Sequence, residues 1–328
     1  MSLFSPTPIV SVVVPFSGNE AAFESTLVSV LENRPRLCEI IVAHDGSYSD
    51  PFELEDEVRF VIGSGADLPA LIRAGADQAR GRILHVLAEG CCATEGWLDK
   101  VLEISADADF GMLAPASLAS RTADRLTTLG WVDGARGFCS PVATGQAVTS
   151  LPRQLDISGP ILQASFWETD LVQSLASLPT GRDPLLTQYA WASVAKQAGY
   201  TCQAAPHCRV VEGRPGLGYE APSRFTARHL QAVRSAVTET NAVAAIAGSL
   251  LQGLGNAHRP RHYRETIGRC LAALLPTSYG SRFTQGMRSV LHALQTRAAR
   301  TPETETLRFP NRTQDYRSDA WVPQRRAA

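Results

Sequence analysis

The stretch IVSVVVPF, residues 9–16, is rich in β-branched residues and apolar at nearly every position. Branched side chains favour an extended backbone, and an apolar run without alternation is typical of a strand buried on both faces. Strands of this kind occur mainly in parallel sheets whose two faces are covered by helices. The stretch therefore predicts the first strand of an α/β protein.

The residues that follow alternate between helix and strand patterns as far as residue 116. Apolar side chains at helical spacing predict helices over residues 20–33 and 68–81, and a third helix capped by Thr94. Short apolar runs predict further strands at residues 38–45, 58–63, 82–87 and 110–116. This alternation predicts a Rossmann-like, mostly parallel sheet with helices on both faces, which binds ligands at the carboxyl ends of its strands.

Beyond residue 116 the order of elements is less regular. Strand-like patches follow at residues 126–132 and 137–143, helical patches at 166–177 and 184–198, and short strand-like patches at 200–204 and 208–211. GRPGLGYEAP, residues 213–222, reads as a linker, because its glycines do not lie between a strand and a helix as a dinucleotide-binding turn would require. No Gly-rich turn follows the first strand either, which argues against a dinucleotide-binding protein.

Composition favours a globular, cytoplasmic protein. Hydrophobic residues make up 44% of the 328 residues, and the net charge is -1. The start of the chain has no basic segment followed by a long apolar core, and the longest nearly apolar run, 242–251, is too short to span a bilayer. The seven cysteines are an odd number in a chain that shows no signal peptide, which favours reduced thiols and a cytoplasmic location.

Charge is unevenly distributed along the chain and divides it into three parts. Residues 1–223 contain 15 Lys and Arg against 26 Asp and Glu, whereas residues 224–300 contain 11 Arg against 2 Glu. We therefore expect an α/β domain over residues 1–222, a basic helical region over 223–300, and a polar, flexible tail over 301–328.

The basic helical region admits several partners. It contains three amphipathic stretches, and its densest cluster is HRPRHYR, residues 258–264. Arginines in excess can contact an anionic membrane surface, which would make the protein peripheral at the inner membrane face, or a charged acceptor. They can equally pack against the acidic first part of the same chain. Nucleic acid is disfavoured, because no aromatic residues are interleaved for base stacking.

Five motifs in order carry a resemblance to a known family. They are SVVVPFSGNE (11–20), STLVSVLEN (25–33), EIIVAHDGSYSD (39–50), AGADQARGRILHVL (74–87) and GWLDKVLE (96–103). Together they resemble the family-2 glycosyltransferases with the GT-A fold over residues 9–105. A weaker likeness, through TLGWVDGARG (128–137), ASFWETDLV (164–172) and VAKQAGY (194–200), reaches residue 200. The C-terminal helices lie outside it.

The resemblance implies a nucleotide-diphospho-sugar donor lying across the strand ends. It also implies inverting transfer of a hexosyl-type sugar to a glycan or lipid-linked acceptor. The positions that match the family's donor site are Pro15, Asn19, Asp45, Gly46, Ser47, Arg73, Gly75 and Glu89. The Asp45 carboxylate can accept a hydrogen bond from the base or the ribose of the donor. Alternatively, its role is limited to shaping the turn, by accepting hydrogen bonds from nearby backbone N–H groups. Arg73 can face a diphosphate, or it can be an ordinary surface arginine.

The family's Asp-x-Asp triplet, which holds Mn²⁺ or Mg²⁺, aligns with Ala88-Glu89-Gly90. Both outer acids are absent, and Glu89 lies one position away. Because side chains alternate along a strand, Glu89 reaches a metal only if the loop bends. Cys91 and Cys92 are soft ligands and replace hard oxygen poorly. Glu89 is thus the one candidate metal ligand that the resemblance offers.

The family's catalytic base aligns with Thr187-Gln188, and glutamine cannot act as a base. Asp183, about one helical turn earlier, is the nearby carboxylate and our candidate base. Asp before Pro184 is also a natural N-cap followed by proline at the first helical position. Two hypotheses remain open: a glycosyltransferase with a divergent active site, or a non-catalytic relative that binds a nucleotide, a glycan or a partner.

Overall fold

The computed structural model describes residues 7–35, 37–107, 111–134, 137–152, 155–213, 222–239, 242–255, 261–275 and 278–300. The strands in these ranges are β1 Val10–Pro15, β2 Cys38–His44, β3 Arg59–Ile62, β4 Ile83–Leu87, β5 Cys91–Ala93, β6 Met112–Leu118, β7 Leu126–Thr128, β8 Trp131–Gly134, β9 Gly137–Pro141, β10 Ala164–Glu168 and β11 Cys202–Glu212. The helices are α1 Glu20–Glu32, α2 Leu68–Gln78, α3 Asp99–Asp107, α4 Thr169–Leu175, α5 Pro184–Gln197, α6 Arg224–Thr238, α7 Ala242–Gly255, α8 Arg261–Leu274 and α9 Ser278–Arg300.

Nine strands form one sheet in the order β3-β2-β1-β4-β10-β6-β11-β5, with β7 added beside β6. β1 is parallel to β2 and β4, and β2 is parallel to β3, as the apolar runs predict. β10 lies antiparallel between β4 and β6, and β5 is antiparallel to β11. The predicted α/β class is confirmed, but the sheet is mixed rather than mostly parallel.

The antiparallel strand corrects one predicted helix. Residues 166–177 were expected to be helical, yet β10 continues to Glu168 and α4 begins at Thr169. Phe166 and Trp167 are fully buried on opposite faces of the sheet, one in each apolar cluster. A short apolar run fits a buried strand as well as a segment of buried helix, so its pattern alone did not distinguish the two.

Helices cover both faces of the sheet, as predicted. Apolar residues of α1 and α3, including Phe23, Leu27 and Val101, pack with one set of strand residues. Residues of α2, α4 and α5, including Leu71, Leu171 and Trp191, pack with the opposite set. These alternating sets explain why β1 is apolar at almost every position.

Helices α6 and α9, which follow residue 223, join the second of these clusters. Leu230 and Val233 of α6, and Phe283 and Met287 of α9, are buried with the residues of α4 and α5. Ion pairs also connect this basic region to acidic residues earlier in the chain. Within the described ranges, no helix combines the length and the apolarity needed to cross a bilayer.

Three predicted features lie outside the described residues. They are most of the glycine-rich linker (214–221), the first residues of the basic cluster (258–260) and the tail (301–328).

Candidate functional site

The carboxyl ends of β1, β2 and β4 meet at one edge of the sheet. In the ladder, Pro15 lies beside Ala43 of β2, and Val13 lies beside Val86 of β4. The loops that follow these strands therefore start side by side. They carry the predicted residues of segments 15–19, 45–47 and 88–90, so the structure brings these three segments together.

Glu89 bridges two of these loops. Its Oε2 accepts hydrogen bonds from the backbone N–H of Ser17, at 3.1 Å, and of Asn19, at 3.3 Å. The loop after β4 does bend, as a metal site would have required. Gly90 has a φ of 87°, in the left-handed region that favours glycine. The bend, however, directs the carboxylate at backbone donors. Glu89 thus holds the loop after β1 in place.

The remaining residues of the loop after β1 have structural contacts of their own. Pro15 is the buried last residue of β1. Asn19 caps α1, because its side chain accepts from the backbone N–H of Ala22 at 3.2 Å. The loop is therefore fixed at both ends, which gives a ligand a rigid surface at this edge.

The turn at 45–47 is held by its own side chains. Oδ1 of Asp45 accepts from the N–H of Ser47 at 3.0 Å and from its hydroxyl at 2.5 Å. These bonds to the charged form lower the pKa of Asp45, which is fully exposed. His44, the residue before Asp45, accepts through Nδ1 from the N–H of Gly46 at 3.2 Å. Asp45 therefore shapes the turn, while its carboxylate stays at the surface.

Arg73 reaches from α2 toward the loop that precedes α5. Its Nη2 donates to Oγ1 of Thr180 at 2.8 Å. Partial burial lowers the pKa of Arg73, and the charge of Asp67 partly offsets this. Its Nε is buried and has no hydrogen-bond partner among the described residues. Arg73 is therefore not an ordinary surface arginine; it is a half-buried donor group between α2 and the loop before α5.

Gly75 lies between α2 and the sheet. A Cβ at this position would come within 2.5 Å of Cγ1 of Val13. The glycine thus allows α2 to approach β1 closely, and the structure places it in the helix–sheet interface.

Asp183 is the N-cap of α5, as the alternative interpretation predicted. Its Oδ1 accepts from the N–H groups of Leu185 and Leu186, at 3.0 and 3.1 Å. Its Oδ2 accepts from the hydroxyl of Thr226 in α6, at 2.7 Å. The carboxylate is half-buried and bonded through both oxygens.

Gln188, at the position of the family's base, is 1% exposed, and its Oε1 accepts from the N–H of Leu162 at 2.8 Å. This side chain is therefore a structural one. Thr180 and Thr226, the partners of Arg73 and Asp183, were missed by the sequence analysis. They follow their partners by 107 and 43 residues, and no local pattern joins them.

The described residues do not fit a hard divalent cation at positions 88–90. Such an ion takes six or more oxygen ligands, several of them from carboxylates or carbonyls. Glu89 supplies one carboxylate, already bonded to two N–H groups, and burial raises the pKa of the Cys91 thiol. No three His, Cys, Asp or Glu side chains in the described ranges are grouped to hold a metal. No reaction step is therefore assigned to a metal ion.

The bridging role of Glu89 makes a testable prediction. Replacement by alanine should cost about 1–2 kcal/mol of unfolding free energy, because two hydrogen bonds to a charged acceptor are lost. Replacement by glutamine should cost less, since an amide oxygen still accepts from both N–H groups. Urea denaturation and hydrogen exchange of the Ser17 and Asn19 amides measure this. The exposed Glu95→Ala is the control, and equal losses in both Glu89 variants would contradict the bridge.

Comparison with known proteins gives only distant similarity. No protein-family model and no curated protein matches the chain. Among solved structures, it is similar to a mannosyltransferase from Pyrobaculum calidifontis in complex with GDP-Man and Mn²⁺, with 16% identity and a TM-score of 0.43, over 90% of this chain and 88% of that one. It is also similar to GalNAc-T7 with UDP, GalNAc and Mn²⁺, with 18% identity and a TM-score of 0.48, over 74% of this chain and 51% of that one. Both TM-scores are below 0.5, so neither likeness supports a conclusion about activity, ligand or metal.

Proposed function

We propose that this protein is a glycosyltransferase that moves a sugar, with inversion, from a nucleotide-diphospho-sugar to a glycan or lipid-linked acceptor. The proposal joins the family-2 resemblance of residues 9–105 to one observation. The loop after β1, the turn at 45–47 and the bend at Glu89 lie together at one edge of the sheet. Open α/β sheets bind nucleotides at this edge.

Different side chains are assigned to different parts of the donor. The exposed carboxylate of Asp45 is placed to accept from a base N–H or a ribose hydroxyl. The guanidinium of Arg73, with its buried Nε, supplies positive charge and donors for the diphosphate. Glu89 holds the loop that the donor passes, and the donor's leaving charge is neutralised by arginine rather than by an ion.

Asp183 is our candidate for the base. The acceptor hydroxyl oxygen attacks C1 of the sugar while Asp183 Oδ2 takes the hydroxyl proton, and the C1–O bond electrons leave with the nucleoside diphosphate. For this step the Thr226 hydroxyl must turn away from Oδ2, for example toward Ser223 Oγ, which lies 3.0 Å from it. Attack opposite the leaving group inverts C1.

A second candidate function rests on the same contacts. Both oxygens of Asp183 are occupied, and the aligned base position holds a buried, bonded glutamine. These observations favour a protein that binds the nucleotide-sugar or a glycan without turning it over. The two candidates share the donor site and differ in Asp183.

We assign the protein to the cytoplasm. Its seven cysteines are all free thiols, and three of them, Cys91, Cys139 and Cys208, are almost fully buried and inaccessible to pairing. Free thiols in this number are typical of a reducing compartment.

Nucleotide binding is the first test. UDP, GDP, dTDP and CDP, and their sugar conjugates, are added to the protein in EDTA and, separately, in Mn²⁺, and thermal unfolding is followed. One of them, at about 100 times its Kd, should add about 2.7 kcal/mol of stability equally in both conditions. Arg73→Gln should abolish this shift, whereas the exposed Arg125→Gln should retain it. A shift that requires Mn²⁺ would show a metal site at Glu89, and no shift with any ligand would overturn the donor site.

A further inference from the structure

Helix α7 carries an exposed apolar stripe. Val243 is 77% exposed, Leu251 70% and Leu254 74%, and Ala247 and Leu250 lie on the same side of the helix. These positions follow the i, i+4, i+7, i+8, i+11 spacing of one helical face. The helix contains no charged residue. Several large aliphatic side chains on one face are more than a soluble surface helix normally exposes.

Helix α8 lies beside α7 and exposes apolar side chains as well. The two helices pack closely, since a Cβ at Gly253 of α7 would come within 2.8 Å of Thr266 Cγ2 of α8. Tyr263, Ile267 and Leu274 of α8 are exposed, as is Leu275 after it. We name this set, with the α7 stripe, the α7–α8 surface.

The segment that carries the α7–α8 surface has an excess of positive charge. Residues 240–300 contain eight arginines and one acid, Glu265. Glu265 is 2% exposed and forms an ion pair with Arg269 at 2.8 Å, so this segment presents no carboxylate to solvent. Arg264 is exposed, beside Tyr263 and three residues before Ile267. An apolar surface bordered by tyrosine and arginine is the composition of a membrane-interfacial element.

We propose that the α7–α8 surface binds the protein to an anionic lipid membrane. With 14 residues, α7 is about 21 Å long, too short to cross the hydrocarbon core, so it lies in the plane of the interface. Its aliphatic side chains enter the acyl boundary, while Arg264 contacts a lipid phosphate. A second copy fits the surface less well, because a symmetric contact would bring the arginine-rich segments together without any exposed acid to neutralise them.

Vesicle flotation tests this proposal on the full chain. The probes are phosphatidylcholine vesicles with and without 30% phosphatidylglycerol, in about 0.1 M salt. We expect binding to the anionic vesicles that is at least tenfold stronger than to the neutral ones. Leu251→Glu/Leu254→Glu should lower this binding at least tenfold, and Arg264→Glu should lower it severalfold. Ile62→Glu is the matched control, since Ile62 is 71% exposed on the edge strand β3 and should leave binding unchanged.

Circular dichroism confirms that each variant is folded before its binding is compared. Absence of vesicle binding by the folded wild type would overturn the proposal. Equal binding to neutral and anionic vesicles would contradict the proposed preference for anionic lipid. A dimer in sedimentation that Leu251→Glu/Leu254→Glu dissociates, without vesicle binding, would assign the surface to a second copy instead.

Discussion

Asp183→Asn is expected to lower kcat by a factor of about 10² to 10⁴, the range that a general base contributes, with little change in stability. Asparagine caps helices as well as aspartate does, so Oδ1 can still accept from the Leu185 and Leu186 N–H groups. Its amide can also donate to Thr226 Oγ1. The variant therefore removes the proton acceptor and keeps the contacts.

The comparison with alanine separates the two roles of this residue. Asp183→Ala should lose the cap and the link to α6, at about 1–2 kcal/mol of unfolding free energy, together with the same loss of turnover. Initial rates at saturating donor and urea denaturation of both variants measure these effects. Asp170→Asn, on the exposed surface of α4, is the control for a carboxyl-to-amide change.

Two outcomes would each decide between the candidates. Full turnover in a folded Asp183→Asn variant would show that Asp183 is a cap only. Absence of turnover in the wild type across the donor panel, with nucleotide binding intact, would select the non-catalytic candidate. In that case Asp183→Asn should leave nucleotide binding unchanged.

Glu265→Leu is expected to cost about 3–5 kcal/mol of unfolding free energy, the largest stability effect we predict. Glu265 and Arg269 are both 2% exposed and form a 2.8 Å ion pair within α8. Glu265 Oε1 also accepts from the N–H of Phe138 at 3.2 Å, and the Arg269 guanidinium lies 3.7 Å from the centre of the Phe138 ring. Removal of the carboxylate leaves a buried guanidinium without its main counter-charge.

This pair joins α8 to the β8–β9 hairpin, so its loss should weaken the packing of α8 against that hairpin. Urea denaturation measures the free energy. The double variant Glu265→Leu/Arg269→Leu should recover at least half of the loss, because neither charge of the pair then remains buried without its partner. Glu103→Leu, which breaks the exposed Lys100–Glu103 pair, should change stability by less than about 1 kcal/mol. A loss as small as that in Glu265→Leu would contradict the role of the pair.

Local pattern determined a large part of the fold. The strands β1, β2 and β4 were predicted because burial on both faces requires a continuous apolar run, and IVSVVVPF shows one. The cap at Asp183 was predicted because an aspartate before a proline satisfies helix N–H groups within three residues. Rules of this kind act over one helical turn or one strand, so a sequence displays them directly.

Only the tertiary structure decided the partners of the charged residues. Glu89 meets the loop after β1 across 70 and 72 residues, Arg73 meets Thr180 across 107, and Glu265 reaches Phe138 across 127. The same holds for the antiparallel direction of β10 and for the exposure of the α7 stripe, which the sequence presents as an ordinary core-facing pattern. Which face of a helix is covered, and which donor a carboxylate reaches, depend on how distant segments pack. No periodicity within one segment contains that information.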